Sequence, residues 1–230
     1  IKNDTYSLID AEAAQYKLAD YYIHTGSQIN PMIDSFQLLR SYSDTNGADL
    51  LDIASTKDYT VTYQDSTSVG TGKMFINGTG NYTGTIELQY EIIPDFEKEM
   101  EVTTPDGKIY SPTDAKADSA GVNTFTTTYS EDYTGSQTTP SPILKLNRKK
   151  LTENTDYVIT RENNINAGTA TIIATGKDGT RYAGKKIKIT YTINKRNITS
   201  AANLTFTPAS YVYTGETVKP AAAKVTDVIS

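Results

Sequence analysis

Chemistry requires particular side chains within reach of one another, and this chain offers few. His24 is its single histidine, a residue type suited to general-base work. It opens the octet HTGSQINP (24–31), which returns as YTGSQTTP (133–140) and YTGETVKP (213–220). Its repeat equivalents are therefore Tyr133 and Tyr213. The position takes an aromatic ring with a polar tip, and His24 reads as structural. There is no cysteine, which excludes disulfides, thiolate metal sites and cysteine nucleophiles. No Ser-His-Asp set can be assembled, and no Gly-rich loop has the spacing of a phosphate cradle ahead of a helix. The chain reads as non-enzymatic, with no catalytic residue and no cofactor.

Binding chemistry is better represented. DTNGADLLD (44–52) sets Asp44, Asn46, Asp49 and Asp52 around a glycine. Such oxygen-rich loops hold calcium, although this one lacks the full twelve-residue spacing and its terminal Glu; a solvated polar loop has the same composition. The 17 tyrosines suggest sugar stacking. Tyr59/Tyr157, Tyr82/Tyr182 and Tyr90/Tyr191 recur between repeats, as core tyrosines with bonded hydroxyls do. Tyr42, Tyr110 and Tyr129 have no such match and are the candidates for ligand contact. The basic stretches KLNRKK (145–150) and KKIK (185–188) nominate Lys149, Lys150, Lys186 and Lys188. Together they would form a patch for cell-wall or host polyanions, or for the acidic end of a neighbouring module.

The net charge is −5, which argues against a general grip on nucleic acid. It is unevenly spread: residues 1–132 carry 8 Lys and Arg against 21 Asp and Glu, residues 133–196 carry 12 against 4. No run approaches the ~18 apolar residues of a membrane span, and the first ten residues do not read as a signal peptide.

The elements that must carry these residues are strands. In IKITYTI (187–193), Ile187, Ile189, Tyr191 and Ile193 share one face and Lys188, Thr190 and Thr192 the other, a period of two. Ile86, Leu88, Tyr90 and Ile92 repeat the pattern. Strands with one polar face suit an antiparallel sandwich. DAEAAQYKLADYYI (10–23) has helical propensity, but its place in the repeat corresponds to a strand, and we read it so. A Pro-Asp-Gly turn in 94–132 suggests a small added hairpin or a long loop. Gly168 and Gly176 mark turns or bulges where a positive φ is expected.

The repeat runs well past the octet. Asp58-Tyr59 matches Asp156-Tyr157, Gly70 matches Gly168, Gly78 matches Gly176, and Tyr82-Thr-Gly84 matches Tyr182-Ala-Gly184. The YTG-x-x-x-x-P opening, followed in 133–184 by D-Y-V-I (156–159), N-A-G-T-A (166–170) and G-T-R-Y-A-G (179–184), closely resembles a tandem bacterial immunoglobulin-like repeat. The first copy departs from that pattern at His24 and at SVGTGK (68–73). The resemblance implies tandem immunoglobulin-like antiparallel β-sandwiches in a Gram-positive surface or secreted protein. The modules expected are 1–93, 94–193 (with an insert at about 94–132) and 194–230, the last an incomplete third. The expected role is structural or adhesive: an extracellular stalk or spacer at the cell surface or cell wall. Its partners would be neighbouring modules, host or cell-wall glycan, or another copy of itself, with no nucleic acid and no membrane span. Two alternatives accompany it: a fibre subunit that donates a strand from 194–230, and a dedicated glycan- or polyanion-binding module.

Overall fold

The computed structural model describes residues 18–19, 21–32, 37–43, 47–52, 57–197, 202–205, 210, 212–217 and 224–227, with 37–43, 47–52, 202–205 and 224–227 described by backbone alone. Most of 10–23 lies outside this set. The chain is all-β, with no α-helix among the described residues, and divides into two compact units, Ile1–Asp95 and Phe96–Ser230.

Unit 1 holds β1 (Tyr22–Ile23), β2 (Gln37–Ser43), β3 (Gly47–Asp52), β4 (Tyr59–Gln64), β5 (Gly70–Gly78) and β6 (Thr85–Ile93). One sheet has the order β1-β6-β5-β4, and β2 and β3 pair separately. The β4–β5–β6 meander is antiparallel. β1 runs parallel to the end of β6, with Tyr22 opposite Ile92. Alternation decides which side is buried: Met74 and Ile76 of β5 and Leu88, Tyr90 and Ile92 of β6 join Tyr59 in one apolar cluster.

Unit 2 holds β7 (Met100–Thr103), β8 (Ile109–Tyr110), β9 (Ala115–Ala117), β10 (Asn123–Asp132), β11 (Ile143–Leu146), β12 (Lys149–Lys150), β13 (Tyr157–Glu162), β14 (Gly168–Gly176) and β15 (Lys186–Asn194), followed by a separate pair, β16 (Ala202–Thr205) and β17 (Lys224–Asp227). One sheet has the order β13-β14-β15-β10-β9, the other β12-β11-β7-β8. Both contribute to one core. Met100, Val102 and Leu144 come from the second sheet and Phe125, Ile172 and Ile187 from the first, each at most 2% exposed. This is the arrangement of a β-sandwich. Ile187, Ile189, Tyr191 and Ile193 are all buried, as period two requires.

Residues 94–132 contribute more than an added hairpin. The turn at Asp106-Gly107 does form, with Gly107 at φ 84 and a Thr104 N–H bond to the Lys108 carbonyl. But β7 pairs with β11, and β10 lies parallel to β15 inside the first sheet. A bulge between Thr126 and Ser130 interrupts that ladder. There the buried Thr127 hydroxyl donates to the Thr190 carbonyl at 2.7 Å, replacing a backbone bond with a side-chain one.

Two glycines are needed for different reasons. Gly168 has φ 139, where L side chains are strained. Gly176 does not have a positive φ, contrary to expectation. It is required by close approach: a Cβ there would collide with the Tyr182 carbonyl oxygen.

Candidate functional site

The octets are straps that close each unit. In both, the residue opening the octet bonds to the end of the last strand: His24 N–H to Ile93 O at 2.8 Å, Tyr133 N–H to Asn194 O at 3.1 Å. Gly26 and Gly135 then turn with the same φ of 78. Five residues in, Ile29 N–H donates to Ser66 O and Thr138 N–H to Asn164 O, each at 2.8 Å. A core tyrosine fastens the strap from below: Tyr90 Oη donates to Ile29 O at 2.9 Å, and Tyr191 Oη lies 2.6 Å from Thr138 Oγ1. The proline carbonyls are held too, Pro31 by Tyr63 Oη at 2.7 Å and Pro140 by Arg161 Nη2 at 3.0 Å. Arg161 Nε is buried without a partner. His24 Nε2 donates to the Thr67 carbonyl at 3.1 Å, which ties the ring to the same strap-and-loop contact. In the third octet Gly215 has φ 86, while Val212 and Tyr213 are 84% and 83% exposed.

The nominated tyrosines are largely built in. Tyr110 is buried, so its ring offers no face to a sugar. Its hydroxyl accepts from Thr128 N–H at 2.8 Å, and Lys108 Nζ lies 5.2 Å from the ring centroid. Burial acts to raise its pKa, but the Thr128 bonds and Lys108 outweigh this and leave it below the usual phenol value. Tyr129 packs on the core beside Tyr191, centroids 6.2 Å apart. It donates to Glu131 Oε1 at 2.7 Å. Burial, then the Glu131 bond, push its pKa up to about 12. Tyr42 lies in β2, described by backbone alone.

The nominated lysines are divided between the two sheets of unit 2. Lys149 and Lys150 are exposed in β12, whereas Lys186 and Lys188 belong to β15 in the other sheet of the sandwich. Lys186 is exposed, but Lys188 Nζ sits 2.6 Å from Asp118 Oδ2. That bond holds the Asp118 carboxyl below the usual range and the Lys188 ammonium above its own. Lys185 pairs with Glu97 at 3.2 Å and Lys145 with Glu101 at 3.0 Å. In each pair an acid from 97–118 meets a lysine from 145–188, so part of the charge asymmetry along the sequence is neutralised within unit 2.

Of the calcium candidates, Asp44 and Asn46 lie outside the described residues, and Asp49 and Asp52 are in β3, described by backbone alone. Among the described residues no group of three His, Asp or Glu side chains is placed to hold a metal, and no helix is long and apolar enough to cross a membrane.

One aromatic was not anticipated. Met74 and Ile76 point into the unit 1 core, so Phe75 between them lies on the opposite face of β5. It is half-buried there, directly between Thr62 of β4 and Glu87 of β6. Polar side chains bonded to one another flank it. Asn77 Nδ2 donates to Thr62 Oγ1 at 3.2 Å and Asn77 Oδ1 accepts from Thr85 Oγ1 at 2.9 Å. Lys73 Nζ lies 2.8 Å from Glu87 Oε1, which also accepts from Gln89 Nε2 at 3.2 Å. The signal was present in KMFING: three consecutive apolar residues in a period-two strand put the middle one outside. No family model matches the chain, and neither a curated protein nor a solved structure matches it.

Proposed function

We propose that the chain is a non-enzymatic structural and adhesive section of an extracellular bacterial surface protein, a stalk or spacer of tandem immunoglobulin-like modules. The observation that carries this reading is the duplicated strap. The two units use the same register, the same glycine conformation, the same strap-to-loop bond and the same tyrosine beneath it. A closure repeated along a chain suits a part whose work is to hold length and shape. The interior tyrosines serve that closure, which leaves the outer faces of the sheets for contact with other molecules.

The test is single-molecule pulling of residues 1–230, paired with protease shaving of intact source cells. Two separate unfolding events and loss of the protein on shaving are expected. Unfolding at negligible force, or full protection from protease in intact cells, would overturn the reading.

A second reading, a fibre subunit that donates a strand from 194–230, is favoured by the third octet. Its glycine already has the conformation of the docked straps while its neighbours are exposed. Light scattering across a concentration series separates the two: assembly of 1–230 but not of 1–193 selects donation, and monomers of both select the spacer.

A further inference from the structure

The outer face of the β4–β5–β6 meander has the composition of a saccharide-binding surface. We propose that this face, centred on Phe75, binds a neutral β-1,4-linked glycan chain whose pyranose rings carry equatorial hydroxyls. The inference uses a surface that the spacer reading leaves idle, and it does not depend on that reading.

An outward aromatic ring on a sheet has one ready use, stacking on another apolar face. Phe75 is not part of the unit 1 core, and Met74 and Ile76 on either side fix it on the opposite face. Pyranoses with equatorial hydroxyls present flat C–H faces to such a ring and direct their hydroxyls outward around its rim. The rim around Phe75 is made of matching groups: the Thr62 and Thr85 hydroxyls, the Asn77 and Gln89 amides and the Glu87 carboxylate, bonded to one another or to Lys73. Their mutual bonds fix the side chains before any ligand arrives, which reduces the ordering cost of binding. Three strands and the five residues from Lys73 to Asn77 span about 10 Å by about 13 Å, room for consecutive sugar rings.

The same groups argue against other occupants. The nearest charges, Lys73 and Glu87, are paired with each other at 2.8 Å, so the face gives no lead to a polyanion. A single ring supplies too little apolar area for a stable protein interface. Unit 2 provides an internal contrast. Across its matching strands Ile173 stands opposite Thr160 and Lys188, and Lys188 is tied to Asp118. A saccharide surface is thus a property of unit 1. With one half-buried ring, affinity for one chain is weak, and repetition along a surface supplies avidity.

The test is a two-dimensional amide NMR titration of the full chain with cellohexaose and, separately, chitohexaose, at millimolar ligand. The first stands for an unsubstituted glucan, the second for the N-acetylated strands of a wall or matrix. Saturable shifts at Thr62, Phe75 and Glu87 with at least one ligand are expected, and the pair identifies the source. Phe75→Ile, which installs the residue unit 2 carries at the matching position, should weaken binding about tenfold or more. Phe75→Tyr should retain it. Unchanged spectra with both ligands, shifts confined to other surfaces, or equal binding by folded Phe75→Ile would overturn the proposal.

Discussion

A hydroxyl placed under a loop can hold it as firmly as a ladder bond when the pair is out of water. Tyr191 and Thr138 are such a pair: both are buried, their oxygens are 2.6 Å apart, and Thr138 Oγ1 also donates to Asn164 O at 3.2 Å. Tyr191→Phe removes one partner and leaves the other. A typical net hydrogen-bond contribution puts the loss at about 1 kcal/mol, read by chemical denaturation; an unchanged midpoint and slope would show that the strap is held without it. Tyr129 makes a different prediction, about alkali. Its folded pKa of about 12 lies above the ~10 of an unfolded tyrosine. The stabilisation is therefore complete below pH ~10 and is lost as pH rises towards 12, because the unfolded chain releases this proton first. Burial also raises Tyr63, Tyr90, Tyr157 and Tyr191, so ultraviolet titration should show a group of late-ionising tyrosines, from which Tyr129→Phe removes one component near pH 12 and makes the fall in stability across that window less steep.

Strands that bury one face are legible because burial imposes the period on the residues themselves. β14 and β15 show it in full, with Ala170, Ile172 and Ala174 answering Ile187, Ile189 and Tyr191 across the ladder. β10 could not be read this way. Its sequence NTFTTTYSED has one fully apolar residue, Phe125, and the bulge at Thr127 shifts the parity of the strand's second half. β7 was hidden largely by distance: Met100 and Val102, its two inward residues, face Leu146 and Leu144 of β11, far along the chain, and Val102 has the buried Tyr110 of the two-residue β8 on its other side. The ligand candidates suffered from a related limit. Tyr110 and Tyr129 lacked repeat equivalents because they belong to the part of unit 2 that has no counterpart in the repeat alignment, and that part turned out to be core. Gly176 illustrates a contact that local sequence does not disclose. Gly176→Ala drives a methyl group against the Tyr182 carbonyl oxygen, and overpacking of this kind costs about 1–3 kcal/mol. The oxygen is backbone, so Tyr182→Ala in the same chain should give no relief; recovery of stability in the double variant, measured by thermal denaturation, would place the collision on the side chain instead.

At the scale of the whole chain, the two apolar clusters share no residue, and this has a thermodynamic consequence. Cooperative unfolding follows a continuous core, so two cores give two transitions unless something else couples them. Ile172 and Met74 test this from either side, being 2% and 0% exposed in their respective clusters. Truncating either to alanine leaves a cavity worth about 2–5 kcal/mol. In calorimetry of residues 1–230, Ile172→Ala should lower one transition and leave the other in place, and Met74→Ala should do the reverse. If each variant moved both transitions together, the units would be melting as one body. A spacer built from separable modules gains from the first behaviour, because damage or load on one unit then leaves its neighbour folded and still presenting its outer face.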